Sequence, residues 1–142
     1  MKTATKKKSA KLPNTLYGLL RVAIRDLLKV EKMKKKYVIE MGDWHTPNGK
    51  CAVCMAGAVM AANKMIPDAK YIGFPGCYFD DATARKFDAI NFLRIGCVHD
   101  AAIELEIKDC TVPDRDTHNY SERTEFFKDM RQLLKELKAA KV

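Results

Sequence analysis

Residues 51–65 read CAVCMAGAVMAANKM and include the longest apolar run of the chain. It contains no charged side chain before Lys64 and is rich in alanine and methionine. Asn48 lies just ahead of it, near the position where asparagine caps helices. A helix that is apolar on every side has no face to give to water and is therefore buried. The stretch predicts a central helix over residues 51–65, with the other helices packed around it.

Helices with one apolar face are predicted on both sides of this central segment. Residues 15–35 and 120–140 each carry apolar side chains at three- and four-residue steps, as an amphipathic helix requires. Asn119 followed by Glu122 resembles a capping box that opens the C-terminal helix. The apolar positions are Leu16, Leu19, Leu20, Ala23, Leu27 and Val30 in the first helix, and Phe126, Phe127, Met130, Leu133, Leu134 and Leu137 in the last.

Two further helices are predicted between the central and C-terminal ones. The first is capped by Asp80 or Asp81 and stops at Gly96. Residues 98–107 fit both a helix and a strand by the spacing of their apolar side chains, and we favour the helix. These segments bring the expected number of helices to four or five.

One extended segment is predicted, over residues 37–44, and a turn follows it at Thr46-Pro47-Asn48-Gly49. The predicted fold class is therefore mainly α, a small helical domain of four to five helices with this short extended segment. Residues 13–142 form the domain. Residues 1–12 are lysine-rich and contain no acid, so they are predicted to be a disordered basic tail.

The composition limits the class of protein. With 142 residues, of which 47% are hydrophobic, the chain has enough apolar side chains for one core. Its longest uncharged apolar run is far shorter than the roughly 20 residues of a transmembrane helix, so no membrane insertion is expected. No apolar stretch follows the basic N-terminus as in a secretory signal, and the number of cysteines, five, is odd. We therefore expect a cytoplasmic protein with reduced thiols.

Positive charge is concentrated near the N-terminus. The formal net charge is +8, and residues 1–36 hold twelve Lys and Arg against Asp26 and Glu31. Such asymmetry is typical of proteins that bind nucleic acid, an anionic membrane surface or an acidic protein. The structural alternative is a lysine-rich segment that only maintains solubility. Four of these cations share one face of the first predicted helix. The candidate binding residues are Lys6, Lys7, Lys8, Arg21, Arg25, Lys29 and Lys32.

The cysteines suggest a different class of site. A CxxC pair that begins a helix would place Cys51 among free backbone N–H groups, and these together with Lys50 would lower the pKa of its thiol. Zinc would need two more ligands, and the available pair gives the set Cys51, Cys54, Cys97 and His99. Cysteines on an alanine-rich helix are more often buried small hydrophobes, so no cofactor is expected and zinc stays the alternative.

Two apolar features have alternative interpretations. Residues 67–80 read as a loop whose aromatic side chains could form a base-stacking platform, although anchoring the loop to the core is favoured. The apolar stripe of the C-terminal helix is explained either by packing on its own domain, which we favour, or by a homodimer interface. The aromatic residues of the loop are Tyr71, Phe74, Tyr78 and Phe79.

Residues 44–58, WHTPNGKCAVCMAGA, resemble a run in short, mostly uncharacterised bacteriophage proteins. The resemblance covers residues 15–96 and carries no catalytic residue. It implies a small phage-encoded protein that acts on a host or phage partner. We therefore expect a non-enzymatic binding or regulatory protein whose basic N-terminal third contacts nucleic acid or an acidic protein. The alternative is a thiol- or zinc-dependent site at Cys51 and Cys54.

Overall fold

The structure, a computed structural model, describes residues 11–41, 45–48, 50–65 and 78–142, and for residues 45–48, 50 and 51 it describes the backbone alone. Within these ranges the chain forms five helices and three short strands, so the predicted mainly α class is confirmed. The helices are α1 (Leu16–Glu31), α2 (Met55–Ala62), α3 (Asp81–Arg94), α4 (Val98–Glu104) and α5 (Arg123–Ala140). The strands are β1 (Tyr37–Ile39), β2 (His45–Asn48) and β3 (Lys50–Val53).

The three strands form one small sheet in the order β1-β3-β2. β1 runs parallel to β3, with Tyr37 opposite Cys51, and β2 runs antiparallel to β3, with Asn48 opposite Lys50. The extended segment predicted at residues 37–44 is confirmed for β1, but the predicted turn at residues 46–49 is wrong for its first three residues, which lie in β2. Pro47 fits this place because an edge strand has N–H groups that need no partner.

The central helix is shorter than predicted. Residues 51–53 belong to β3, where their backbone groups pair with both neighbouring strands, so α2 begins at Met55 and its cap is Cys54 rather than Asn48. Its predicted burial is confirmed, because every residue from Met55 to Ala61 is buried. An uncharged helix thus lies at the centre of the domain, as its composition requires.

The two amphipathic helices also begin or end away from their predicted limits. The Thr15 side chain caps α1 by accepting a hydrogen bond from the Gly18 N–H at 3.0 Å, and α1 ends at Glu31, before residue 35. α5 begins at Arg123, and its cap residue, Glu122, makes no side-chain capping bond. The predicted capping box of Asn119 and Glu122 is therefore wrong. The Glu122 N–H donates instead to the Asn119 carbonyl.

The predictions for α3 and α4 are confirmed. The Asp80 side chain caps α3 by accepting from the Thr83 N–H at 2.9 Å. The chain leaves α3 through Gly96, whose φ of +80° lies in the left-handed region that glycine adopts at low cost. Residues Val98–Glu104 form α4, which settles the ambiguity between helix and strand in favour of the helix.

α1 and α5 lie side by side and antiparallel. At one end of the pair, the Leu16 N–H at the start of α1 donates to the Val142 carbonyl beyond the end of α5. At the other end, the Arg123 guanidinium at the start of α5 donates to the Glu31 carboxylate at the end of α1. These two contacts place α1 and α5 next to each other along their lengths.

The core gathers the inward faces of α1, α2, α3 and α5. Five of the six residues in the apolar stripe of α5 are buried within the chain and Leu134 is partly buried, so the homodimer alternative would need another face of this helix. Leu12 is also buried, which places the start of the packed domain inside the predicted tail; residues 1–10 lie outside the described residues. Among the helices that the structure describes, none is both long and apolar enough to span a bilayer.

Candidate functional site

The outer face of α1 carries a row of four cations, Arg21, Arg25, Lys29 and Lys32, which we call the α1 row. All four are exposed, as their spacing predicted. A helix rises about 1.5 Å per residue, so the row is about 16 Å long. Arg25 is paired with Asp26 at 3.0 Å, whereas the other three make no ion pair with any residue that the structure describes. The predicted row therefore exists as an exposed cationic surface in which Arg21, Lys29 and Lys32 make no ion pair with a described residue.

Neither acidic residue of α1 is exposed on this surface. Asp26 is fully buried and accepts a hydrogen bond from the Asn63 side chain at 2.8 Å as well as the one from Arg25. The Glu31 side chain is 14% exposed and accepts two hydrogen bonds from Arg123, at 2.7 and 2.8 Å. The exposed face of α1 consequently carries no exposed carboxylate, and of its cations only Arg25 is offset by one, the buried Asp26.

The positive surface continues past the end of α1. Lys34, Lys35 and Lys36 are exposed in the turn between α1 and β1, and this turn is held by the Met33 carbonyl, which accepts the N–H groups of Lys36 and Tyr37. The other predicted cations, Lys6, Lys7 and Lys8, lie outside the described residues.

A second row of cations, which the sequence analysis missed, lies on α5. Lys128, Arg131, Lys135 and Lys138 are all exposed, and they follow one another at three- and four-residue steps along one face. Two of the three acids of α5 turn away from this row: Asp129 bonds to His118 at 2.8 Å and Glu136 bonds to Arg115 at 2.5 Å. The spacing is visible in the sequence, but only the apolar side of this helix was considered there.

The junction of α1 with α5 is held by Glu31, Arg123 and Tyr120. The hydrogen bonds from Arg123 hold the pKa of Glu31 below its usual value against the opposing effect of burial, and the Tyr120 hydroxyl, which also donates to Glu31, adds to this effect. Burial and the bond to Glu31 raise the pKa of Tyr120. The Arg123 guanidinium also lies 4.7 Å from the centre of the Phe127 ring, a cation–π distance. The Glu31 carboxylate at the junction is therefore ionised at neutral pH and paired with Arg123.

A groove of about 720 Å³ opens beside this junction. It is continuous with the α1 row because Lys32 belongs to both. Its apolar part includes Val38 of β1, which is 48% exposed, and its cations include Lys34 and Arg123. The residues that line it are Leu28, Glu31, Lys32, Lys34, Tyr37, Val38, Ile39, Tyr120 and Arg123.

The structure does not give Cys51 the environment that the CxxC pattern suggested. Cys51 lies in β3, so the residue that caps the helix is Cys54 instead. The side chain of Cys51 lies outside the described part of the chain. The Cys54 sulfur accepts a hydrogen bond from the Gly57 N–H at 3.4 Å and lies 3.6 Å from the Asn91 amide. Burial outweighs these bonds and raises the pKa of the Cys54 thiol, the opposite of what a nucleophile needs.

Of the proposed zinc ligands, the three whose side chains the structure describes, Cys54, Cys97 and His99, are not gathered at one point. His99 is exposed, and its Nδ1 lies 3.7 Å from the Asp114 carboxylate. Partial burial, followed by the charges of Asp100 and Asp114, raises the pKa of Cys97. Over the part of the chain that the structure describes, no three Cys, His, Asp or Glu side chains lie close enough to share a metal ion.

One further carboxyl group has a strongly shifted pKa. Burial, assisted by the negative charge of Glu104 on α4, raises the pKa of Asp88 on α3 to about 6. Glu104 itself is paired with Arg85 at 3.3 Å. Sequence reasoning missed Asp88 because its shift arises from contact between two helices and leaves no local signal.

Thiol labelling tests this description of Cys54. Because its side chain is buried and its pKa is raised, we expect iodoacetamide to modify Cys54 of the folded protein roughly tenfold more slowly than Cys110, which is partly exposed. Tandem mass spectrometry of quenched digests gives the two rates, and labelling in denaturant is the control, where the rates should converge. Equal rates in the folded protein would contradict the burial of Cys54.

Comparisons of the chain with protein-family models, with curated proteins and with solved structures found no match. Function has to be inferred from the chemistry of the surface itself. That surface consists of the α1 row, the turn of three lysines and the row on α5, with the groove at one end. Long, flexible cations on adjoining helices can bind phosphates along a strand.

Proposed function

We propose that this chain is a small non-enzymatic nucleic-acid-binding protein and that the α1 row is its principal contact with phosphates. One observation carries the proposal: the four cations of the α1 row are exposed, whereas neither acid of α1 is. Asp26 is buried against Asn63 and Arg25, and Glu31 is paired with Arg123. A solvated face that only maintained solubility would have no need of this arrangement, because exposed carboxylates serve solubility equally well.

The distribution of charge over the rest of the molecule supports the proposal. Residues 80–122, which include α3 and α4, contain ten acidic and five basic side chains. Positive charge therefore accumulates on the α1 and α5 side of the domain, and a polyanion approaching from solution is steered to that side.

Regular spacing favours nucleic acid over an acidic protein as the partner. Residues four apart on a helix are separated by about 6 Å along its axis, so the α1 row presents charges at near-constant intervals on a rigid support. Phosphates also repeat at constant intervals along a strand, whereas the carboxylates of a folded acidic protein do not. The row on α5, exposed on the neighbouring antiparallel helix, extends the surface available to the backbone.

The likeness of residues 44–58 to short bacteriophage proteins suggests a biological setting. We propose that the protein is a phage-encoded regulator that acts in the host cytoplasm on phage or host nucleic acid. The thiol- or zinc-dependent alternative has less support, because Cys54 is buried with a raised pKa.

A single charge reversal tests the proposal against a matched control. We expect Lys29→Glu to weaken binding of a labelled nucleic acid about tenfold at low salt, since it removes one phosphate contact and adds a repulsive charge. Lys108→Glu makes the same change of net charge at an exposed position outside both rows and should change affinity less than about twofold. Fluorescence anisotropy measures both dissociation constants.

The dependence on salt gives a second measurement. If all four cations of the α1 row contact phosphates, replacing them with glutamine should reduce the slope of log affinity against log salt by about 3 to 4. Binding that is unchanged by Lys29→Glu, or that does not depend on salt, would overturn the proposal. Failure to bind any nucleic acid, together with salt-dependent binding of an acidic protein through the same residues, would assign the surface to a protein partner instead.

A further inference from the structure

The groove beside the α1–α5 junction has a chemistry that phosphate contacts alone do not use. Its apolar part is open to solvent, and Val38 is 48% exposed there although it lies in a strand of the sheet. The ring of Tyr120 lines the same groove. Lys32, Lys34 and Arg123 line the groove with it, and of these three cations Arg123 is paired with Glu31.

A surface that combines aromatic and aliphatic side chains with cations can bind a nucleotide whose base is unpaired. Base faces stack on aromatic side chains and are indifferent to sequence, while the neighbouring phosphates contact lysine and arginine. A volume of about 720 Å³ lies in the range of small-molecule sites. In a duplex the bases are stacked and paired, so a duplex would contact the lysines and leave Val38 and Tyr120 uncovered.

We propose that this groove receives an unpaired nucleobase, so that the ligand of the protein is single-stranded nucleic acid. This inference rests on the proposed function and specifies the class of its ligand. The base lies against Tyr120 and Val38, and the phosphates on either side contact Lys32 and Lys34. From Lys32 the strand continues along the α1 row.

The fixed position of Tyr120 supports this role. Its hydroxyl donates to Glu31, and its ring makes edge contacts with Phe126 and Phe127 at centroid distances of 5.6 and 6.4 Å. A ring held in this way is already ordered, so little side-chain entropy is lost when a base stacks on it. Arg123 balances the charge of Glu31, so the acid in the groove does not repel the phosphates.

The test compares short labelled single strands of DNA and of RNA with the same strands annealed to their complements, by fluorescence anisotropy. Tyr120→Leu removes the aromatic face, and we expect it to weaken single-strand binding about tenfold with less than a twofold effect on duplex binding. Tyr120→Phe keeps the ring and loses only the hydroxyl, so its single-strand affinity should stay within about twofold of wild type. Circular dichroism confirms that both variants are folded.

A second pair of variants keeps the test decisive if Tyr120→Leu fails to fold. Val38→Ser should weaken single-strand binding about threefold, whereas Ile103→Ser, at an isoleucine that is 62% exposed on α4, should not change it. Duplex affinity equal to or above that of the single strand, or equal effects of Val38→Ser and Ile103→Ser, would overturn this inference while the proposed function stands. Absence of binding to every strand and duplex would overturn both.

Discussion

Gly96→Ala is expected to lower the free energy of unfolding by about 4 kcal/mol. The added Cβ atom would strain the backbone and also overlap sterically with the Arg115 carbonyl oxygen. Gly96 has a φ of +80°, which side-chain-bearing residues rarely adopt. A Cβ atom at this position would lie 1.9 Å from the Arg115 carbonyl oxygen. Urea denaturation followed by circular dichroism measures the loss.

The overlap cannot relax because Arg115 is held on both sides. Its N–H donates to the Gly96 carbonyl at 3.0 Å, and its guanidinium donates to Glu136 of α5 at 2.5 and 2.9 Å. Gly18→Ala is the comparison variant, since Gly18 lies in α1 without a positive φ: its added Cβ would lie 2.5 Å from the Pro13 Cβ, an overlap without backbone strain. Gly96→Ala should be the more destabilised of the two variants, and a loss below about 1 kcal/mol would show that the close approach of the two segments is wrong.

Phe79→Ala should destabilise the fold by about 3 kcal/mol, because it leaves a cavity in the core. Phe79 is 1% exposed, and its ring centre lies 5.0 Å from that of Phe87 on α3. Part of the loss comes from this ring pair and the rest from the lost apolar contacts. Thermal and urea unfolding measure it, and Phe79→Leu, which keeps most of the volume, should lose less than half as much.

This prediction also separates the two interpretations of the aromatic loop. If Phe79 were part of a stacking platform, Phe79→Ala would weaken nucleic-acid binding and leave stability unchanged. Its burial supports the favoured interpretation, in which the end of the loop is anchored to the core, while Tyr71 and Phe74 lie outside the described residues. Unchanged stability together with weakened binding would contradict the packing of Phe79 against Phe87.

Local signals account for what could be predicted of the fold. The apolar periodicity of α1 and α5, the cap at Asp80 and the stop at Gly96 depend on neighbouring residues, and the structure confirms each of them. The errors came where distant residues compete for the backbone. Residues 51–53 look like the start of an apolar helix, but pairing with β1, which lies earlier in the chain, draws them into the sheet.

The candidate site was likewise predictable only in part from the sequence. The α1 row was predictable, because exposed cations at helical spacing form a stripe whatever the helix packs against. The groove was not, since its walls come from α1, β1 and the start of α5, which are far apart in sequence. Tyr120 gave no signal of its own, because its role depends on the side chains that the fold brings to it.

The amino-acid sequence alone determined that the protein is a mainly helical domain with an uncharged central helix and a basic first helix, because periodicity and composition are properties of short segments. Which charged side chains of the protein are free of hydrogen-bonded partners depends on the tertiary structure. Asp26 is withdrawn by Asn63, 37 residues away, and Glu31 by Arg123, 92 residues away. Whether a carboxylate neutralises its neighbours or is itself neutralised depends on these long-range contacts, which no local pattern encodes.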